Sequence, residues 1–204
     1  NPSPPPRLGH GMAYDKESDR IIIFGGFGGK GVNDTVCFSD TWAYDYNTNS
    51  WTKMNPKISP SARIYFAMTY DNLNDKVILW GGRKRDPIFD NRIWIYDFNT
   101  DIWESKENIG GPEKPLAYSS MVFRDKTQDL ILFGGVTLES AFKGTLTNKT
   151  WSFKLNQNKW EKLSPKMSPP PIANHNMAYN PKKNIVFLFG GELETVYSNK
   201  LSGD

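Results

Sequence analysis

Four Gly-Gly pairs, Gly25-Gly26, Gly81-Gly82, Gly134-Gly135 and Gly190-Gly191, each close a short apolar run, at spacings of 56, 53 and 56 residues. A spacing held that closely is an internal repeat, and a repeat of this length restricts the chain to a stacked or circular array of like units. Other residues keep the same beat. Tyr14, Tyr70, Phe123 and Tyr179 stand 11 residues before the first Gly of each pair, and Met12, Met68, Met121 and Met177 stand two before those. Downstream, Trp42 and Trp51, Trp94 and Trp103, and Trp151 and Trp160 form pairs nine residues apart.

Each unit reads as four short strands. In the first unit, 7–14 is predicted as one strand, followed by a turn at 15–19. The second strand is predicted over 20–25, where Ile21-Ile22-Ile23-Phe24 is a continuous apolar run, as in a strand covered on both faces. Residues 41–45 and 51–54 supply the outer strands, joined by the turn residues Asn47-Thr48-Asn49. No segment carries a helical period with caps, so the chain is predicted to be all-β. Four antiparallel strands repeated without helix describe the blades of a propeller. Aromatic residues make up 14% of the 204, which argues against disorder. No apolar run approaches the roughly 20 residues of a membrane span, so membrane insertion is not expected. The net charge of +3 is too small to imply a nucleic-acid partner. A single cysteine, Cys37, excludes an internal disulfide framework, and no metal or other cofactor is expected. The sequence leaves the compartment open, and the sequons at Asn33 and Asn148 are short enough to arise by chance.

The double glycine after an apolar strand, the segment Asp40-Thr41-Trp42-Ala43-Tyr44-Asp45 and the segment Arg7-Leu8-Gly9-His10 together resemble the kelch repeat. The resemblance implies a β-propeller, in that family commonly of six or seven blades, with each unit's first strand lining the central channel. The repeats are 7–54, 63–105, 116–163 and 172–204, about three and a half four-stranded blades in one propeller segment. The last repeat lacks its two outer strands, because Asp204 aligns with Asp40 and Thr41-Trp42 has no counterpart. Further kelch repeats, in the parent chain or another chain, are therefore expected to complete the ring. Two departures stand out. Asp45 and Asp97 are replaced by Lys154, and Arg7 and Arg63 by Leu116 and Ile172.

Several residues invite a chemical role that the repeat argues against. The four Met could suggest a ring of thioether ligands, but packing between blades is the simpler reading. The stretch Gly25-Gly26-Phe27-Gly28-Gly29-Lys30-Gly31 lacks the Gly, the Ser or Thr and the helix that a phosphate-binding loop needs. The paired Trp are assigned to the core rather than to sugar stacking. His10 and His175 occupy one repeat slot and are read as structural hydrogen-bonding groups, while staying among the candidate binding residues. Kelch-fold enzymes include copper-radical oxidases, a sialic acid mutarotase and iron-dependent specifier proteins. The residue sets of the oxidases and specifier proteins are missing here, and a channel-mouth carbohydrate enzyme or a glycan-binding adhesion module remains the alternative.

Function is expected on loops. The connections from second to third strands, at 27–39, 83–91 and 136–148, are long, differ in composition and share one end of the blades. Arg83 and Arg85 with Phe89 form a basic and aromatic stretch suited to a protein contact. Arg7 and Arg63 should stand at the channel rim on the same end. By resemblance to kelch domains that read acidic peptides, their guanidinium forks would bind carboxylates; the competing role is a structural bond. The reading is a non-enzymatic interaction scaffold with a protein partner, bound through an acidic peptide segment.

Overall fold

The computed structural model describes residues 2–29, 36–83, 91–114, 116–140 and 143–193. In chain order, β1 (Gly11–Asp15) and β2 (Arg20–Phe24) are followed by a two-residue ladder of β3 (Phe27–Gly28) with β4 (Val36–Cys37), then β5 (Thr41–Asp45) and β6 (Ser50–Lys53). The second blade holds β7 (Ala67–Asp71), β8 (Lys76–Trp80), β9 (Ile93–Asp97) and β10 (Ile102–Lys106). β11 (Leu116–Ala117) opens the third, built of β12 (Ser120–Arg124), β13 (Asp129–Phe133), a hairpin of β14 (Val136–Ser140) and β15 (Lys143–Leu146), then β16 (Thr150–Lys154) and β17 (Lys159–Leu163). β18 (Asn176–Asn180) and β19 (Ile185–Phe189) begin a fourth. The sheets run β1-β2-β5-β6, β7-β8-β9-β10 and β12-β13-β16-β17, all antiparallel, with β18-β19 as a two-stranded start. This is the all-β propeller segment that the repeat implied.

The turns repeat as faithfully as the strands. At the Tyr-Asp ends of β1, β5 and β7 the Asp oxygen accepts two backbone N–H groups just downstream, as Asp15 does from Glu17 and Ser18, both at 3.1 Å, and Asp97 at the end of β9 accepts that of Asn99. Asp19, Asn49, Asp75, Asp101 and Asn184 then take left-handed backbone at φ 48 to 57°, a conformation that Asp and Asn tolerate best among residues with a Cβ. Each is clasped by a tyrosine hydroxyl five residues earlier. Tyr14, Tyr44, Tyr70 and Tyr96 donate at 2.8 to 2.9 Å, and Tyr179 at 3.0 Å.

The core lies between blades, which is why the second strands are apolar on both faces. Phe24 of the first blade meets Trp103 of the second at 5.1 Å between ring centres, and Trp103 donates its indole N–H to Thr41 Oγ1 of the first blade at 3.0 Å. Trp80 meets Trp160 of the third blade, also at 5.1 Å. The first strands β1, β7, β12 and β18 neighbour one another in succession, as strands around a channel do.

The first strand is shorter than predicted, starting at Gly11 instead of residue 7. The cause is a left-handed residue two places upstream, Gly9, Tyr65, Tyr118 or Asn174, at φ 56 to 65°. That kink turns the peptide toward the next blade. Tyr65 N–H donates to the Gly9 carbonyl at 2.8 Å, Tyr118 N–H to Tyr65 at 2.8 Å, and Asn174 N–H to Tyr118 at 3.0 Å. A chain of backbone hydrogen bonds thus runs from blade to blade.

The exchange of Asp45 and Asp97 for Lys154 also has a physical cause. Arg20 pairs with Asp45 at 2.9 Å, Lys76 with Asp97 at 3.2 Å, and Asp129 with Lys154 at 3.1 Å, from equivalent positions on the second and third strands. The third blade keeps the ion pair with its charges reversed. Asp129 is fully buried and also accepts from Arg124, Thr127 and Ser152. Burial would raise its pKa, but hydrogen bonds, from Arg124 first, hold it far below the usual carboxylate range.

Candidate functional site: the long-loop end

The long connections leave β2, β8 and β13 beside the Gly-Gly pairs. Both glycines of a pair have positive φ, and the first sits against the opening residue of the next blade. A Cβ on Gly81 would lie 2.7 Å from the Leu116 carbonyl, and one on Gly134 2.6 Å from that of Ile172. The second glycine donates its N–H across the same seam, as Gly82 to Leu116 at 2.8 Å and Gly135 to Ile172 at 2.7 Å. One residue further on, the chain bridges back to its own blade, with Phe27 facing Leu8, Arg83 facing Ile64 and Glu192 facing Ala173. This seam fixes where the long loops emerge.

What emerges differs from blade to blade. The first loop is framed by the β3-β4 ladder, in which Phe27 lies opposite Cys37. The loop at 136–148, expected as a long connection, forms the β14-β15 hairpin, which extends a small sheet through β11. In the second blade, Arg83 is half-buried and pairs through its backbone with Ile64 at 2.8 and 2.9 Å. Arg85 and Phe89 lie outside the described residues, as does Asn33, whereas Asn148 is exposed.

The structure places the two rim arginines in bonds within their own blades. The Arg7 side chain is 4% exposed, grips both oxygens of Asp40 at 2.6 and 3.0 Å, donates to the Gly25 carbonyl at 2.9 Å, and lies 4.3 Å from the centre of the Phe38 ring. Asp40 also accepts the Trp42 indole N–H at 2.7 Å. Burial would raise the Asp40 pKa, but the bonds from Arg7 and then Trp42 lower it overall. Arg63 is fully buried and donates to the Gly81 carbonyl at 3.2 Å and to the Ser61 carbonyl and hydroxyl. Both forks tie a blade's opening segment to its own Gly-Gly turn, so the carboxylate that suits Arg7 is already supplied by Asp40.

The two histidines diverge although they share a slot. His10 is exposed, and partial desolvation followed by the Arg7 charge lowers its pKa. His175 is 4% exposed and edge-on to Phe133 at 5.6 Å, and burial lowers its pKa against a smaller opposing contribution from the Phe133 backbone. Neither ring nitrogen of His175 meets a partner with good hydrogen-bond geometry. His175 is therefore packed at the seam against Phe133, with burial holding its pKa down.

Sequence reasoning missed Tyr65 and Tyr118. Their rings stack at 4.1 Å with 25° between planes, beside the blade-to-blade hydrogen bonds. The only signal was Gly9 in their slot, which hinted at left-handed backbone. Among the described residues, no group of three His, Cys, Asp or Glu side chains could hold a metal ion.

The fold and seam define a class: a β-propeller segment whose four-stranded blades are locked at Gly-Gly corners. The chain belongs to the kelch-repeat family, matching the KLHDC2/KLHL20/DRC7 Kelch-repeats domain over residues 27–202. It is 27% identical to Kelch repeat-containing protein 2 of Saccharomyces cerevisiae, over 97% of this chain and 23% of that protein. It is 26% identical to the dynein alpha chain of the flagellar outer arm of Chlamydomonas reinhardtii, over 93% of this chain and 4% of that protein. With Mei4-dependent protein 6 of Schizosaccharomyces pombe it shares 24% identity, over 91% of this chain and 28% of that protein. The chain thus spans a small part of the length of these curated relatives. A solved structure titled "Structure of YjhT" has the same fold, with a TM-score of 0.65 and 20% identity over 86% of this chain and 57% of that one. Kelch repeats are in general protein-interaction modules.

Proposed function

We propose that the chain is a non-enzymatic scaffold that binds a protein partner through its long-loop end. The observation that carries this reading is the contrast between the two ends. The short-turn end repeats the Tyr-to-Asx clasp in the first, second and fourth blades, with Phe123 and Phe153 in the tyrosine slots of the third, while the long-loop end presents a two-residue ladder in one blade and a hairpin in another. Variable loops on a rigid frame are where binding is built.

The same reading includes further kelch repeats beyond this segment. Phe187 and Phe189 on β19 are 53% and 83% exposed, whereas Phe24, Trp80 and Phe133, in the slot of Phe189, are at most 4% exposed beneath a following blade. A Cβ on Gly190 would meet no described atom within 4 Å, where its three counterparts touch a carbonyl. Another blade, from the parent chain or a second chain, would cover this face.

The test is partner capture by the parent propeller with changes at either end. Deleting residues 139–144, or Arg83→Ala with Arg85→Ala, is expected to reduce capture at unchanged melting temperature. Lys16→Glu and Glu17→Lys at the short turns are expected to leave it intact. Equal losses from both ends would refute the assignment.

A further inference from the structure

The Arg7 fork in the first blade shows what its third-blade counterpart lacks. Equivalence is fixed by the backbone: Gly25 N–H donates to the Asp40 carbonyl and Gly134 N–H to that of Lys149, both at 3.2 Å, while Phe38 donates to Gly26 and Thr147 to Gly135. Trp42 faces Lys53 across the outer strand pair, and Trp151 faces Lys162. In the third blade, Leu116 therefore stands for Arg7, Thr147 for Phe38 and Lys149 for Asp40. Two large side chains are replaced by smaller ones and the one carboxylate by an ammonium.

The result is a cleft of about 360 Å³ lined by Leu116, Thr147, Lys149, Trp151, Lys162 and Lys114. Glu113 is the one acidic residue in its wall. None of the three lysines has an ion-pair partner among the described residues. Trp42 gives its indole N–H to Asp40, but the Trp151 indole N–H is buried with no acceptor. A buried donor left without a partner is costly, and an anionic acceptor is the strongest remedy.

We infer that this cleft binds a carboxylate of a partner peptide, in the place that Asp40 fills in the first blade. The carboxylate accepts the Trp151 indole N–H, with Lys149 and Lys162 beside it to balance its charge. This rests on the scaffold reading and gives it a chemical address at the base of the projecting hairpin. The peptide's aliphatic stem would lie against Leu116, in space that Arg7 occupies in the first blade.

The experiment reads the indole N–H resonances of the ¹⁵N-labelled protein, with that of Trp151 assigned through Trp151→Phe. The probes, at constant ionic strength, are N-acetyl-glutamate amide for an acidic side chain, N-acetyl-alanine for a chain terminus, N-acetyl-glutamine amide as the neutral isostere, and inorganic phosphate. A saturable shift of the Trp151 N–H is expected with one or both carboxylates and not with the glutamine compound, while the Trp42 N–H stays still; the stronger of the two carboxylates identifies the source. Lys149→Gln is expected to weaken binding about tenfold, the worth of one charged hydrogen bond. Leu116→Arg combined with Lys149→Asp rebuilds the internal fork and should abolish the shift in a folded protein. An equal response to phosphate or to the glutamine compound, or no response at all, would overturn the inference. Partner capture by the rebuilt variant separates the two readings. Capture that survives intact would refute this cleft as the docking point and leave the long-loop scaffold standing, whereas carboxylate binding with capture indifferent to every loop change would refute the scaffold reading alone.

Discussion

Gly134→Ala isolates the contact on which the propeller depends. Its φ of +63° carries a left-handed penalty of about 1 kcal/mol for any residue with a Cβ. The new Cβ would also sit 2.6 Å from the Ile172 carbonyl oxygen, well inside contact distance. Relief requires the seam to open, which strains the packing by about 1 to 3 kcal/mol and loosens the Gly135 to Ile172 hydrogen bond, worth roughly 1 kcal/mol. The total is about 3 to 5 kcal/mol. Gly190→Ala at φ +73° meets nothing described, so only the backbone penalty of about 1 kcal/mol applies. For a domain of this size each kcal/mol moves the melting temperature by about 2 to 4 °C, so the first variant should melt roughly 10 °C lower and the second only about 3 °C lower. Guanidinium unfolding followed by Trp fluorescence, with the slope m unchanged, measures both. Equal losses at the two glycines would refute the argument that the first glycine's role is close approach to the next blade.

Other outcomes follow from the same contacts. Arg7→Ala strands Asp40 without its counter-charge and should cost about 3 kcal/mol in thermal or chemical unfolding; a variant that keeps full stability but loses partner capture would restore the binding role. Trp103→Ala, at 1% exposure between blades, should cost about 3 to 5 kcal/mol, against well under that for the partly exposed Trp51. Lys154→Asp places two carboxylates together and should cost about 3 kcal/mol, with Asp129→Lys recovering only part because Arg124 then faces a lysine. Because burial lowers the pKa of His175, the unfolded chain takes up its proton first. That contribution to stability should be whole above pH of about 6.5 and diminish as pH falls toward the folded value, and His175→Phe should remove this part of the slope.

The repeat was legible because its signals are local and stiff. Gly-Gly pairs, Trp pairs and the Tyr-Asp turns are imposed by backbone conformation and by blade-to-blade burial, so their recurrence disclosed the blades, and the second, third and fourth strands of the first blade to within a residue. The first strand was overextended at its start because Tyr65 and Tyr118 hold a left-handed conformation that only Gly9 and Asn174 in the same slot would suggest. The internal bond of Arg7 was hidden for a different reason. Asp40 lies 33 residues from Arg7, and only the fold brings the carboxylate to the fork. Lys154 looked like a lost charge for the same reason, since its partner Asp129 is 25 residues away and takes the place of a lysine or arginine. The hairpin at β14-β15 could not be distinguished from an irregular loop, as Thr, Leu, Glu and Ser alternate there without a strong apolar face.

On the proposed reading, the blades' variable end, and not their uniform end, meets a partner. Amide hydrogen exchange of the parent propeller with and without its captured partner tests this directly. Slowed exchange is expected at 27–29, 36–39, 136–140 and 143–148, with the turns at 16–19, 46–49, 72–75 and 98–101 unchanged. Protection confined to those turns, with the long-loop segments unaffected, would contradict it.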